Sequence, residues 1–369
     1  MFDYLIVGAG LFGSVLANIL TTNGKSVLVV EKKPNVGGTV YTENIDGITV
    51  HKYGAHIFRT NNKNIWNYIN KFSAFKPFIN SPLAVYEDKV YNLPFNMNTF
   101  SKLWNIRFPY EAEKIIHDQC IKLDREPANL EEFALSVVGK DIYEKFIKGY
   151  TEKQWGKDCK NLPATIMNRI PVRYTYNNNY YNALYQGVPI KGYTYIVEKL
   201  LENSTVLLGI DGKEFIKNNK DIASSIIYTG CIDEFFDFSL GKLEYRSLKF
   251  EHEVLSVSDY QGNAVVNYTS RSVPWTRIIE HKHFLSEDCP YTIITKEYPI
   301  LSSDTFDPYY PVRTEFNVQL YNKYLEMSDN IIFAGRLGSF RYTDMEETIS
   351  MATSLATKLL RKEGTYFEN

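Results

Sequence analysis

Long apolar runs are missing from this chain. No stretch approaches the roughly 20 residues that cross a bilayer, so no contact with a membrane interior is expected. Charge of one sign is missing too. Lys plus Arg number 41 against 43 Asp plus Glu, a net charge of -2, which gives no broad basic field for nucleic acid or an anionic membrane. Cysteine is scarce: Cys120, Cys159, Cys231 and Cys289, with no C-x-x-C pair. That argues against a disulfide framework and for reduced thiols in a cytoplasmic protein. The chain enters a strand at once, without a basic n-region, so no signal peptide is expected. Internal repeats and low-complexity linkers are also lacking.

Aromatic residues are not scarce. They make up 15% of the 369 residues, with 28 tyrosines. Tyr-rich strands account for part of this. The rest fits a site that stacks rings and hydrogen-bonds through hydroxyls. The length allows two or three domains and a well-buried core.

The first thirty residues carry the strongest local signal. An apolar run over 4–7 reads as a buried parallel strand. It leads into Gly8-x-Gly10-x-x-Gly13, and a helical pattern follows over 14–20. Gly8 permits the tight turn, Gly10 leaves room for a pyrophosphate, and Gly13 lets helix and strand pack closely. The helix N-terminus offers free N–H groups to phosphate. A second strand over 26–30 ends on Glu31, at about the ~20-residue distance expected of an acid that holds a ribose hydroxyl. Gly37-Gly38 comes next, a pair commoner after the ribose acid in FAD proteins than in simple NAD enzymes.

Farther on, His56 lies among small and apolar residues and is expected near a planar cofactor, whereas His51 is as readily structural. A hairpin is predicted over 81–92. The period changes to that of helices from 99 to about 149, with Asn129 as an N-cap and Glu131 and Glu132 in the first turn. Arg169 and Arg173 stand beside prolines in a polar stretch, where guanidinium forks suit a diphosphate. Strands over 206–208 and 226–229 rejoin the nucleotide domain. Alternation over 245–250, 253–257, 264–268 and 277–283 predicts an antiparallel sheet, with His281 and His283 on one strand face. Two histidines without a third ligand make no metal centre, and none is expected. A strand over 330–334, a turn at Gly335-Arg336 and a helix after Asp344 bring the chain back to its start.

These stretches resemble the bacterial UDP-galactopyranose mutase family over essentially the whole chain. The matching motifs include Gly8-Ala9-Gly10-Leu11-Phe12-Gly13, His51-Lys52-Tyr53-Gly54-Ala55-His56-Ile57-Phe58 and Asn80-Ser81-Pro82-Leu83-Ala84. They continue through Tyr150-Thr151-Glu152-Lys153-Gln154-Trp155, Arg169-Ile170-Pro171-Val172-Arg173, Arg277-Ile278-Ile279-Glu280-His281-Lys282-His283, Tyr309-Tyr310-Pro311 and Gly335-Arg336-Leu337. The chain departs from the family at Lys191, where relatives often have glycine, and at Thr343, where a second tyrosine is common.

The resemblance implies an α/β fold: a Rossmann-like FAD-binding domain with an inserted helical bundle and an antiparallel sheet domain. The FAD-binding parts are expected at 1–80, 195–240 and 321–369. Between them fall a sheet segment at 81–95, the bundle at 96–162, a mobile loop and sheet segment at 163–194 and the antiparallel sheet at 241–320. The implied reaction interconverts UDP-galactopyranose and UDP-galactofuranose without net redox change. In it, N5 of reduced FAD attacks the anomeric carbon, UDP leaves, and a flavin–sugar iminium lets the ring open and reclose.

By the same resemblance Arg169 and Arg277 clamp the diphosphate, and Tyr180, Tyr310 and Tyr342 donate hydroxyls to it. Tyr150 and Phe146 flank the uracil, Trp155 lies by the sugar, and Asn80 and Arg246 line the region. Gly8, Gly10, Phe12, Gly13, Glu31, Lys32, Gly38, Thr39, Gly335, Arg336 and Met345 hold FAD. His56 and Asp344 lie close to both flavin and sugar. The implied protein is a cytoplasmic homodimer in cell-surface polysaccharide biosynthesis, with its flavin reductant unassigned. The alternatives are an FAD oxidoreductase of the amine-oxidase type, which needs an apolar pocket and neither arginine, and a nucleotide-sugar-binding flavoprotein without turnover.

Overall fold

A computed structural model describes residues 1–167, 172–302 and 307–362. Its first sheet has five parallel strands in the order Thr205–Leu208, Val27–Glu31, Phe2–Val7, Ala223–Tyr228, Ile331–Phe333. The two inner strands from the N-terminal region are nearly continuous apolar runs because both faces are covered. Leu11–Thr22, Gly192–Leu201 and Met345–Lys362 pack on one face, around Val15, Leu16, Ile196 and Ala352. Gly212–Asn218 and Ile232–Phe235 lie against the other. Three separated parts of the chain therefore build one nucleotide-binding-type sheet.

A second, seven-stranded sheet has the order Tyr310–Pro311, Tyr245–Leu255, Thr292–Leu301, Arg277–Glu280, Val265–Tyr268, Leu83–Tyr86, Lys89–Asn92. All its pairings are antiparallel except Val265–Tyr268 with Leu83–Tyr86, where the early hairpin adds to the late sheet. The hairpin turns at Glu87, whose φ is +52°. The two short strands expected at 245–250 and 253–257 are one unbroken strand, Tyr245–Leu255, paired along ten residues with Thr292–Leu301. Glu251, His252 and Glu253 read as a break in the pattern, yet a strand that runs out past the core accepts charge on both faces. The expectation of His281 and His283 on one strand face is also corrected. The strand ends at Glu280, and both histidines fall at the short helical turn Lys282–Leu285.

The helical part packs on the hairpin end of the seven-stranded sheet: Met97–Trp104, Pro109–Gln119, Leu130–Val137, Gly139–Ile142 and Gly149–Trp155. Their apolar positions meet around Phe100, Ile116, Ala134 and Ile142. Asn129 caps as the sequence predicts, its Oδ1 accepting the Glu132 N–H at 3.0 Å. A wide π-helical stretch, Tyr143–Lys148, leads into Gly149–Trp155. No helix among the described residues is long and apolar enough to cross a membrane.

The closest helix–strand approach depends on Gly13, where an added Cβ would lie 2.0 Å from the Gly8 carbonyl oxygen. Gly13→Ala should therefore lose about 1–3 kcal/mol of stability, seen as a lower thermal unfolding midpoint. An unchanged midpoint would contradict this packing.

Candidate active site

The turn after the first strand is a cradle walled by glycine. Gly8 has φ +108°, and a Cβ there would collide with Thr229 Oγ1, which itself donates to Val7 O at 2.7 Å. Gly10 is the N-cap of Leu11–Thr22. No side chain caps that end and its first turn has no acid, so its N–H groups remain available to an anion. Gly38 closes over it: a Cβ on Gly38 would lie 3.1 Å from Gly10 Cα. The Gly37 N–H donates to Ala9 O at 2.9 Å, which holds the two glycine turns together. The Glu31 carboxylate accepts the N–H groups of Ala9 at 2.7 Å and Lys33 at 2.9 Å. Those amides fix its direction and leave further lone pairs free.

Gly335, with φ +72°, sits against Phe12 and Thr229, so the late glycine turn packs onto the early one. Thr39 lies in the 3-10 turn Gly38–Val40. Lys32 is exposed and stands 3.7 Å from Glu234. Met345 starts the last helix and packs on the core beneath it. A dinucleotide phosphate fits this cradle: Gly8, Gly13 and Gly38 have no room for a Cβ, Gly10 opens onto free space, and the helix end has no side-chain cap.

The second part of the site is one face of the seven-stranded sheet. Cross-strand register places Arg277 opposite Glu297, Phe250 opposite Glu297, and Arg246 opposite Tyr310. Arg277 donates from Nη2 to the Tyr150 hydroxyl at 2.7 Å. Its Nε lies 3.4 Å from Glu297 Oε1. Glu297 is only 2% exposed. Burial works against the charge on Arg277, but Glu297, Tyr150 and Tyr310 hold the guanidinium well above its ordinary value. Burial pushes Glu297 up, and Arg277 draws it back.

Tyrosines surround this cation. Tyr310 lies 5.7 Å from the Tyr342 ring and 6.4 Å from Tyr309. Arg336 stands over Tyr309 at 5.8 Å. Burial raises Tyr310 strongly and lifts Tyr180 to about 12, so both keep their protons and can donate. The Tyr180 N–H donates to the carbonyl of buried Asn80 at 2.8 Å. His56 donates from Nδ1 to Gly54 O at 2.7 Å. Burial brings its pKa down to about 4; the Gly54 bond opposes this, and Arg336 and Arg277 add to it. Asp344 pairs with Arg59 at 3.0 Å and caps the Glu347 N–H at 2.9 Å.

Other expected site residues stand differently. Trp155 is the last residue of Gly149–Trp155 and is partly buried. Arg246 donates to the carbonyls of Gln154 at 3.0 Å and Lys153 at 3.4 Å, so its contacts secure the C-terminal end of that helix. Phe146 is 4% exposed and packs among Tyr91, Phe95 and Tyr86 in the helical core. Arg169 lies outside the described residues.

The structure also brings in residues that pattern reading missed. Glu297 lies beneath Arg277, and its only sequence signal is its place on a strand face. Lys153 donates to the carbonyls of Tyr268, Val273 and Trp275 at 2.8–3.0 Å. It ties the Tyr150 helix to the segment that leads into Arg277, and burial lowers its pKa to about 8.

Four imidazoles cluster at the edge of this face. Burial lowers His51 to about 3, His56 and His252 to about 4, and His281 well below its ordinary value. In the unfolded chain these rings take up protons below about pH 6.5. Their contribution to stability is thus complete above that pH and declines as pH falls toward 4 and 3. NMR of histidine-labelled protein should show the His51 and His56 rings neutral at pH 5. Titration of either ring near pH 6.5 would contradict this burial.

Comparison with known proteins bears on this geometry. A family model described as UDP-galactopyranose mutase matches residues 145–342. A NAD(P)-binding Rossmann-like domain matches residues 6–72. The chain is 38% identical to a probable UDP-galactopyranose mutase of Klebsiella pneumoniae, over 97% of this chain and 94% of that one. It is 35% identical to dTDP-fucopyranose mutase of Escherichia coli, over 95% and 97%. A crystal structure of reduced UDP-galactopyranose mutase shares the fold with a TM-score of 0.73 at 14% identity, covering 100% of this chain and 95% of that one. With a Rossmann-type cradle facing an arginine- and tyrosine-lined sheet, and with relatives this similar along the whole chain, the protein belongs to the UDP-galactopyranose mutase family of enzymes.

Proposed function

We propose that this protein interconverts UDP-galactopyranose and UDP-galactofuranose, with FAD as its resident cofactor and the reduced form active. The observation that carries this reading is the Arg277 guanidinium, held by Tyr150 and backed by buried Glu297 on a tyrosine-lined face. A second anion site of that kind, apart from the glycine cradle, fits a nucleoside diphosphate substrate. An amine-oxidase-type enzyme has no use for it.

When bound and reduced, the flavin supplies a nucleophilic ring nitrogen toward the anomeric carbon, which permits isomerisation without net redox change. The protein's residues hold, orient and stabilise. Gly8, Gly10, Gly13 and Gly38, with the uncapped helix end, receive the cofactor's diphosphate. Glu31 takes the ribose hydroxyls. Arg277 receives the substrate diphosphate and stabilises the charge that builds on it as UDP departs. Arg169 is the proposed second cation. Tyr180 and Tyr310 keep their protons through burial and donate to the same oxygens, joined by Tyr342. Tyr150 lies by the base and Trp155 by the sugar. His56 offers a neutral ring beside Arg277 and Arg336. We place the enzyme in the cytoplasm as a homodimer fed by a cellular flavin reductant.

The test is anaerobic turnover of UDP-galactofuranose by purified yellow protein, with dTDP-fucofuranose assayed beside it. UDP-galactopyranose should form with dithionite and not without it. Absence of the pyranose under reduction would overturn the reading. Faster turnover of the dTDP sugar would overturn the substrate assignment and keep the isomerase. Arg277→Ala should lower kcat/KM by about a hundredfold or more, since a charge partner of this kind is worth ~3 kcal/mol. Activity within threefold of the parent would remove Arg277 from the diphosphate site.

A further inference from the structure

His51 has no place in the reaction outlined above, yet it stands at the centre of a directed hydrogen-bond chain. The His56 N–H donates to His51 Nδ1 at 3.1 Å. The His51 N–H donates to His281 Nδ1 at 3.2 Å. His281 Nε2 lies 2.6 Å from Thr295 Oγ1, and His252 Nδ1 lies 2.7 Å from the same oxygen. Main-chain amides can only donate, so both accepting Nδ1 atoms are bare and the ring protons sit on Nε2. His281 then donates to Thr295, whose hydroxyl also bonds His252 Nδ1. The tautomers of His51 and His281 thus follow from the two amides.

The far end of this chain is the sheet face of the site. His252 is directly opposite Thr295, and Glu297 lies two residues beyond it on the same face. The near end is the turn 54–56. Gly54 there has φ +101°, and a Cβ on it would sit 3.6 Å from Glu297 Oε2 and 3.7 Å from Phe250. The turn is thus a wall of the space around Arg277 and Glu297.

The chemistry of His51 itself is informative. Its ring stacks on Phe284 at 4.6 Å with an 11° interplanar angle and meets the Tyr193 ring edge-on at 5.7 Å. Its Nε2 is buried without a partner, a costly arrangement. A phenylalanine would keep the stack and remove that cost. What it could not supply is an acceptor for the His56 amide.

We infer that His51 is a positioning residue, whose Nδ1 fixes the His56 main chain and so sets the turn 54–56 against the Arg277–Glu297 pair. The inference rests on the proposed function only in taking that turn as a wall of the reacting site.

The test compares His51→Asn, which keeps an acceptor near the Nδ1 position, with His51→Phe, which keeps the stack alone. In the parent holoenzyme the His56 amide should exchange as slowly as strand amides. His51→Phe should speed that exchange by roughly tenfold or more and lower kcat by a similar factor, with KM for the sugar nucleotide little changed. His51→Asn should restore both. Fast exchange at His56 in the parent would overturn the inference even if the Phe variant fails to fold. Parental exchange and kcat in His51→Phe, or no recovery in His51→Asn, would also overturn it. A parent that retains slow exchange but turns over no UDP sugar would instead overturn the functional reading.

Discussion

The site depends on one ion pair, a half-buried arginine over a buried glutamate, placed by strand register. Arg277 and Glu297 are cross-strand partners in neighbouring antiparallel strands. A carboxylate sunk beneath a guanidinium keeps the cation charged and aimed, while Tyr150 takes one of its donors. A slip of Thr292–Leu301 by one residue would turn Glu297 and Thr295 to the other face and leave Arg277 without its carboxylate. The ten-residue pairing of Tyr245–Leu255 with Thr292–Leu301 guards against that slip. It also carries Phe250 and His252 to their places beside Glu297 and Thr295.

The two halves of the site solve opposite problems. The cradle is made by removing side chains, so that backbone and a bare helix end meet phosphate. The sheet face is made by adding long charged and phenolic side chains whose bases are buried. Helix Gly149–Trp155 joins the halves of the sheet-side machinery. Lys153 fastens it to the segment before Arg277, and Arg246 satisfies its last carbonyls. Both side chains spend their donors on main-chain carbonyls, and the family resemblance is what implies a substrate contact for Arg246.

Local features were readable in the sequence. Glycines at 8, 10 and 13, the acid at 31, the hairpin at 81–92 and the cap at 129 each depend on neighbours within a few residues. Charged residues interrupt the alternation of the long strand Tyr245–Leu255, so its sequence reads as two, and the pairing with Thr292–Leu301 keeps it whole. The grip of Glu297 on Arg277 and of His281 on His51 has no sequence signal because the partners are remote: the His51–His281 bond spans 230 residues. No periodicity reports such a pairing. The proposed roles of Tyr150, Tyr310 and Asp344 came from family resemblance, while the structure supplied their surroundings. Phe146 came from the same resemblance, and its surroundings are the rings of Tyr86, Tyr91 and Phe95.

The claim that Arg277 anchors a nucleoside diphosphate is tested most directly by the crystal structure of the reduced protein with UDP. The account predicts phosphate oxygens within about 3 Å of the Arg277 guanidinium, with Glu297 still beneath it. UDP held elsewhere, with Arg277 facing only Tyr150 and Glu297, would contradict it.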